Sequence, residues 1–358
     1  MSTRAARAAV VLLGVLGALA VAGPASAHAG DGGAGSDFDG AVRSVTPALP
    51  GVTVRSLQFG DQLEVVNRTA TEVQVPGYSG EPYLRIGRDG VWRNEHSPAT
   101  YLDLDRYGRA PVPAGTSITA PPSWVQVSTK PLYVWHDHRT HWMSQGMLPP
   151  VVTAAPDRPH TVIRWTVPMA YGGTAVAVVG VLSWDPPPPG WLVWPVHVLL
   201  LAATVAAGWL ARTPRPLALA LGAGTAAALW HALATPEPPA GESTHAGAVV
   251  SALLPALLVL VVAVIAGRAA VRGRGGLTGL LAVAGGWVLL IEGLPDVDAL
   301  WSAHVLATGP QLLARAAVAG MLAVGLGLVV GGAGAARRFR DGARSAASPA
   351  VRVAAAEA

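Results

Sequence analysis

Thr174-Ala175-Val176-Ala177-Val178-Val179-Gly180-Val181-Leu182-Ser183-Trp184-Asp185-Pro186-Pro187-Pro188-Pro189-Gly190-Trp191-Leu192-Val193-Trp194-Pro195-Val196-His197-Val198-Leu199-Leu200-Leu201 joins two different kinds of chain. Up to Trp184 the residues are those of a strand, rich in valine and closed by an aromatic. Pro186 to Pro189 then form a stiff spacer, and from Trp191 the apolar run is too long for a strand and suits a membrane helix.

Downstream of the spacer the sequence predicts a bundle over 191–333 with about five membrane helices, at 191–211, 217–233, 246–267, 277–294 and 311–332. Each is close to the roughly 20 apolar residues that a bilayer core requires. Arginines sort to one side of this bundle. Arg212 and Arg215 follow the first helix, Arg268, Arg272 and Arg274 the third, and Arg337, Arg338, Arg340 and Arg344 the fifth. The alternate loops carry Glu237, Glu242, Asp296 and Asp298 without a lysine or arginine. By the positive-inside rule the upstream domain is extracytoplasmic and the basic tail, 334–358, cytoplasmic. After about Gly342 that tail, rich in Ala and Ser, reads as disordered. The composition agrees with a plasma-membrane protein, 51% of residues being hydrophobic and 13% charged. The sequence pI of about 9.8 reflects the inner arginines and not a nucleic-acid footprint.

Upstream, Arg4 and Arg7 precede an apolar run that ends near Ala22, and Ala25-Ser26-Ala27 follows it, the pattern of a secretory signal peptide over 1–27. Residues 28–44, rich in Gly and Asp, read as a flexible leader. From 45 to 185 short segments rich in Val, Ile, Tyr and Trp recur between Gly, Pro, Asn and Asp. The expected strands are 52–55, 62–66, 72–75, 83–86, 124–127, 132–136, 162–167 and 175–184. This spacing predicts an all-β sandwich, immunoglobulin-like or cupredoxin-like, joined to the bundle by the spacer 186–190. The chain has no cysteine, which removes disulfides, thiolate metal sites and an ordinary blue-copper centre.

All ten histidines fall on the outer side of this topology, three of them within His136-Asp137-His138-Arg139-Thr140-His141-Trp142-Met143. If strand 132–138 continues, His136 and His138 share one face, and a turn brings His141 back as a third ligand. Such a set suits copper or zinc, with Met143 or Met147 as a soft donor for copper(I) and Asp137 or Asp103 orienting an imidazole from behind. The competing reading is a hydrogen-bonded polar cluster that fixes a loop. His96 and His160 read as ordinary surface or core residues. In the bundle, His197, His231, His245, Glu292, His304 and Arg315 cluster toward the outer ends of the helices and are candidates for a shared vestibule, Glu292 with Arg315 as an ion pair. Gly285-Gly286, Gly325 and Gly327 read as sites of close helix packing. No phosphate loop, nucleophile elbow or zinc-protease motif is present, so an enzyme has no support.

The segments Gly77-Tyr78-Ser79-Gly80-Glu81-Pro82-Tyr83-Leu84, Ser97-Pro98-Ala99-Thr100-Tyr101-Leu102 and Trp135 to Met143 resemble those of a family of actinobacterial membrane proteins of unassigned function. The resemblance implies the layout of an exported β-domain and a membrane bundle, and no activity. More loosely, an exported β-domain that begins with a histidine, beside a His-bearing bundle, is similar to the bacterial copper-resistance pair of periplasmic carrier and membrane partner. Only His28 carries over from that carrier pattern. The expected function is therefore metal handling at the cell envelope, copper before zinc, with a metal carrier or other envelope protein as partner. A non-catalytic anchoring or interaction protein is the alternative. Five helices make a small pore, so transport would call for a homo-oligomer or another subunit.

Overall fold

The structure, a computed structural model, describes residues 34–356, with side chains as far as residue 340. The expected signal peptide, His28 and the first part of the leader lie outside the described residues. The chain divides into two compact units. One holds Ser36–Pro187 together with Glu237–Thr244, and the other holds Pro188–Pro236 and the chain from His245.

The first unit is built of antiparallel sheets. Its strands are β1 (Phe38–Thr46), β2 (Val52–Leu57), β3 (Gln62–Asn67), β4 (Val73–Pro76), β5 (Pro82–Gly87), β6 (Gly90–Asn94), β7 (Trp124–Ser128), β8 (Leu132–Trp135), β9 (His160–Tyr171) and β10 (Thr174–Trp184). A seven-stranded sheet runs in the order β1-β10-β9-β4-β5-β6-β7, and a three-stranded sheet in the order β2-β3-β8. Alternation decides what each strand buries. Along β10, Val176, Val178, Gly180, Leu182 and Trp184 point inward, and β9 answers with Trp165, Val167 and Met169. Leu63 and Val65 of β3 and Trp135 of β8 join Val73, Leu84, Ile86, Val91 and Val178 of the larger sheet in one core. Each such side chain contributes about 1.5–3 kcal/mol by leaving water.

The expected strands form, with adjusted ends, and two more appear. Residues 38–44, read as leader, belong to β1, which pairs with β10 from Phe38↔Trp184 to Thr46↔Ala177. Its acidic and glycine content hid it, because pairing with β10 and not its own apolar pattern holds it in place. The hairpin strand β6 was also missed. A close crossing explains Gly40: a Cβ built there would lie 2.3 Å from the Cα of Gly60, which itself has φ +101°. Conversely, β8 ends at Trp135, so the expected strand continuation to His138 is wrong; 138–140 form a turn closed by Thr140 N donating to the Asp137 carbonyl at 2.9 Å.

The segment 237–244, between two long helices in sequence, packs as part of the sheet unit. Arg55 of β2 meets Glu64 of β3 at 2.7 Å and Glu237 at 3.0 Å. Glu64, 1% exposed, accepts the backbone N–H of Ala240, and Lys130 Nζ donates to the Gly241 carbonyl at 2.9 Å. A buried carboxylate needs such partners, and here a distant loop supplies one.

The second unit is helical: α1 (Gly190–Trp209), α2 (Arg215–Leu233), α3 (His245–Val271), α4 (Gly275–Gly293), α5 (Gln311–Ala319) and α6 (Gly325–Ala356), with a π-helical turn, Gly320–Val324, joining the last two. Five helices, one of them spanning Gln311–Arg340, are long and apolar enough to cross a membrane. The predicted bounds shift by a few residues, α3 running to Val271 and the last span to Arg340. Where the sequence suggested a disordered tail after about Gly342, α6 continues to Ala356. Close packing by small residues appears as expected: a Cβ at Gly286 of α4 would lie 2.6 Å from the Gly325 carbonyl oxygen of α6.

The Gly40–Gly60 crossing yields a test. Gly60→Ala adds a methyl where φ is positive and a strand backbone lies within contact, and is expected to cost about 1–3 kcal/mol. Thermal melts followed by tryptophan circular dichroism measure it, while Gly115→Ala, at positive φ but in open space, is expected to cost less; equal losses would refute the steric account.

Candidate functional site

Four side chains of the octet after β8, His136, Asp137, Thr140 and His141, are buried polar groups. Asp137 is fully buried. It accepts Trp135 Nε1 at 3.0 Å, the Arg139 backbone N–H at 3.1 Å, and Arg139 Nε and Nη2 at 2.7 and 2.6 Å. Four donors on one carboxylate turn the chain sharply, and the fork of Arg139 repays the desolvation of both charges. Arg139 also lies over the ring of Tyr78 at 5.1 Å.

The three imidazoles take separate directions. His136, at the end of β8, places Nδ1 3.2 Å from the Asp61 carboxylate and Nε2 3.4 Å from the Gln62 amide. Burial works against its protonation, but the hydrogen bond and charge of Asp61 outweigh burial and raise its pKa. Asp61 also pairs with Arg106 at 3.0 Å. His138 stacks on Tyr78, with centroids 5.8 Å apart, and engages the Asp105 carbonyl through Nε2 at 3.0 Å. His141 meets His138 edge to face at 5.6 Å, and its Nε2 is buried without a hydrogen-bond partner. Burial lowers its pKa to about 4.

A second buried acid completes the cluster. Asp103 accepts a short hydrogen bond from the Tyr78 hydroxyl, and that hydroxyl accepts the His138 N–H at 3.0 Å. Burial pushes the Asp103 carboxyl up to about 8 against the pull of Tyr78, and the charge of Asp137 adds to the rise. Burial, reinforced by Asp103, likewise holds the hydroxyls of Tyr78 and Tyr83 protonated. Thr140 ties the octet to the turn after β2 by donating to the Gly60 carbonyl at 2.9 Å.

Among the described residues, no group of three or more His, Cys, Asp or Glu side chains is placed to hold a metal ion. The expected ligands His136, His138 and His141 are neighbours without a common focus. Met143 is half-buried, and Met147 is 66% exposed, its carbonyl taken by Trp142 Nε1 at 2.7 Å. Asp137 and Asp103 do not orient imidazoles; Asp61 and the Asp105 carbonyl do. Tyr78, Asp61, Gln62 and Arg106 are the participants that sequence reasoning missed, since nothing local links positions 61, 78 and 106 to 136–141. His96 and His160 bond to the carbonyls of Pro121 and Ala155, as ordinary structural residues do.

In the helical unit the vestibule candidates separate as well. His231 Nε2 lies 2.8 Å from Asp296 Oδ2, and Glu292 is half-buried. Arg315 donates to the carbonyls of Ala299 and Ala303 at 2.7 and 3.1 Å, and not to Glu292 as expected. His197 turns back to the Val193 carbonyl at 2.7 Å beside Trp194, and His245 bonds to the Thr235 carbonyl at 3.0 Å. His304 is half-buried in the connection before α5.

Two opposed pH dependences follow. Between about pH 4 and 8 folded Asp103 keeps a proton that the unfolded chain has lost, so stability falls as pH rises. Between about pH 6.5 and 4 unfolded His141 takes a proton that the folded side chain refuses, so stability falls on acidification. Melting temperatures of the sheet unit in the full chain are expected to decline from pH 6.5 to 8, with Asp103→Asn flattening the decline and His141→Gln removing part of the acid-side loss. Profiles unchanged by both substitutions would contradict these assignments.

The chain matches no family model, no curated protein and no solved structure.

Proposed function

We propose that this chain is a multi-span membrane protein of the cell envelope whose β-unit, a two-sheet sandwich of immunoglobulin-like or cupredoxin-like type, stands outside the membrane as a non-catalytic interaction module. The observation that carries the reading is the set of protein partners that the octet takes. Asp137 is held by Trp135 and Arg139, the two ring nitrogens of His136 meet Asp61 and Gln62, and Nε2 of His138 meets the Asp105 carbonyl, which is how a structural clamp is built. Five helices of membrane length support the anchoring role, and the arginines gathered in alternate connections support the orientation. The resemblance to actinobacterial envelope proteins agrees with this layout. The partner in this reading is another envelope protein.

Absence of native cysteine makes the topology directly testable. Ala114→Cys lies on an exposed loop of the β-unit, and Thr213→Cys on the exposed connection between α1 and α2. A membrane-impermeant maleimide applied to intact cells is expected to label the first and spare the second until the cells are opened. The reverse pattern, or recovery of the chain in the soluble fraction, would end the proposal.

One observation favours a second reading, metal binding. His138 and His141 touch edge to face, and the buried Nε2 of His141 has no hydrogen-bond partner. Copper, or zinc in its place, would then be held by these two imidazoles, without His136. Elemental analysis of the full chain after dialysis against trace copper and zinc decides it: near-stoichiometric metal in the parent and none in a folded His141→Ala variant supports this reading, and no metal in either removes it.

A further inference from the structure

We infer that β9 of the sheet unit binds an extended peptide segment by strand addition, along the stretch of its edge that β4 leaves unpaired. The inference deepens the reading of this unit as an interaction module and rests on it. β9 runs from His160 to Tyr171, yet it pairs with β4 only at Ala170↔Gln74 and Tyr171↔Val73. Its register explains the early stop. Gly172 and Gly173, with φ of 55° and 83°, make the two-residue turn into β10, so Tyr171 and Thr174 face each other as a hydrogen-bonded pair. Residues 165, 167, 169 and 171 therefore bond to β10, and 164, 166, 168 and 170 point toward the β4 side. Gly172 N donates to the Glu72 carbonyl at 3.5 Å, which sets the same phase on that side. The rungs fall at 172 with 72 and at 170 with 74, and the next would fall at Pro168 with Pro76. Neither proline has an N–H to give, so the ladder cannot continue and the sheet parts there.

Past the two prolines, the N–H and carbonyl groups of Thr166 and Arg164 point out of the edge. Among the described residues, no backbone group outside the sheet ladders takes them. Such an edge is a template for a further strand. A cavity of about 440 Å³ opens at the parting, with Val75, Pro76, Pro82, Tyr83 and Met169 on its walls. Trp124 of β7 also lines it, with Arg85 over its ring at 5.2 Å, and Glu72 holds Arg85 at 2.8 Å. This space accepts one apolar side chain of the added segment.

The edge and its surroundings specify the occupant. The hairpin of β4 and β5 stands across the parting, where it would meet the neighbours of a strand already built into another sheet. A single unpaired segment has no such neighbours. Arg164 and Thr166 alternate with the inward Trp165 and Val167, so their side chains stand on the exposed face. A carboxylate on the added segment beside the Arg164 guanidinium makes an opposite-charge cross-strand pair. The partner's chemistry is therefore an extended stretch of another envelope protein with an apolar anchor and an acidic residue.

Fluorescence anisotropy of a fluorescein-labelled, capped octapeptide, alternating valine with glutamate around one phenylalanine and titrated with the full chain in lipid nanodiscs, tests the site. Saturable binding is expected, weaker when lysine replaces glutamate in the peptide. Thr166→Pro removes an N–H offered to the segment and leaves the β10 ladder intact, and is expected to weaken binding about tenfold. Arg164→Glu, a second variant that leaves the backbone alone, is expected to reverse the preference between the two peptides. N-methylation of every second peptide amide is expected to abolish binding in one phase and spare it in the other, because strand addition uses alternate N–H groups. Absence of saturable binding overturns the inference. Binding that ignores Thr166→Pro and both methylation phases also overturns it, while leaving the unit an interaction module that works through another surface. Self-association removed by Thr166→Pro, without peptide binding, would give the edge to a second copy and overturn it as well. Failure of the exported reading would show separately, in the maleimide labelling of intact cells.

Discussion

Asp137 with its four donors is the constraint on which the sheet unit depends. A fully buried carboxylate has no water to solvate it, so Trp135 and Arg139 must come to it, and the chain can do this only by leaving the β8 direction. That turn places His136 on Asp61, His138 on Tyr78, and Thr140 on the Gly60 carbonyl. The Gly60 turn is where β1 crosses closely at Gly40, so the polar cluster and the joining of the two sheets share one set of atoms. The three histidines of the octet are thereby turned toward different neighbours.

Much of the architecture was legible in the sequence, and for identifiable reasons. The segments now forming β2 to β5 and β7 to β10 announced themselves by β-branched and aromatic residues between turn formers, and the five long helices by the length of their apolar runs. β1 was not legible, since Asp39, Gly40 and Arg43 break its apolar pattern and its pairing with β10 fixes it from outside. The docking of 237–244 was hidden for the same kind of reason: Glu64 and Ala240 are 176 residues apart, and only the folded chain brings them together. The octet was found by composition and misread in geometry, because a period-two extension assumes a strand where Asp137 imposes a turn.

The two units handle buried charge in different ways. In the β-unit nearly every ionisable group of the octet has a matched partner, and the cost of Asp103 is met by keeping it protonated. In the helical unit the almost fully buried Asp296 meets His231 at 2.8 Å.

The claim that the octet is a clamp is tested most directly by a double-mutant cycle on Asp137 and Arg139, read by thermal melting of the full chain. Asp137→Ala is expected to cost about 3–5 kcal/mol by stranding the half-buried guanidinium of Arg139 and the Trp135 N–H, with the Asp137→Ala/Arg139→Ala double variant losing less than the sum of the single losses. A loss below about 0.5 kcal/mol for Asp137→Ala, or simple additivity, would contradict the account and reopen the octet as a site kept for something other than structure.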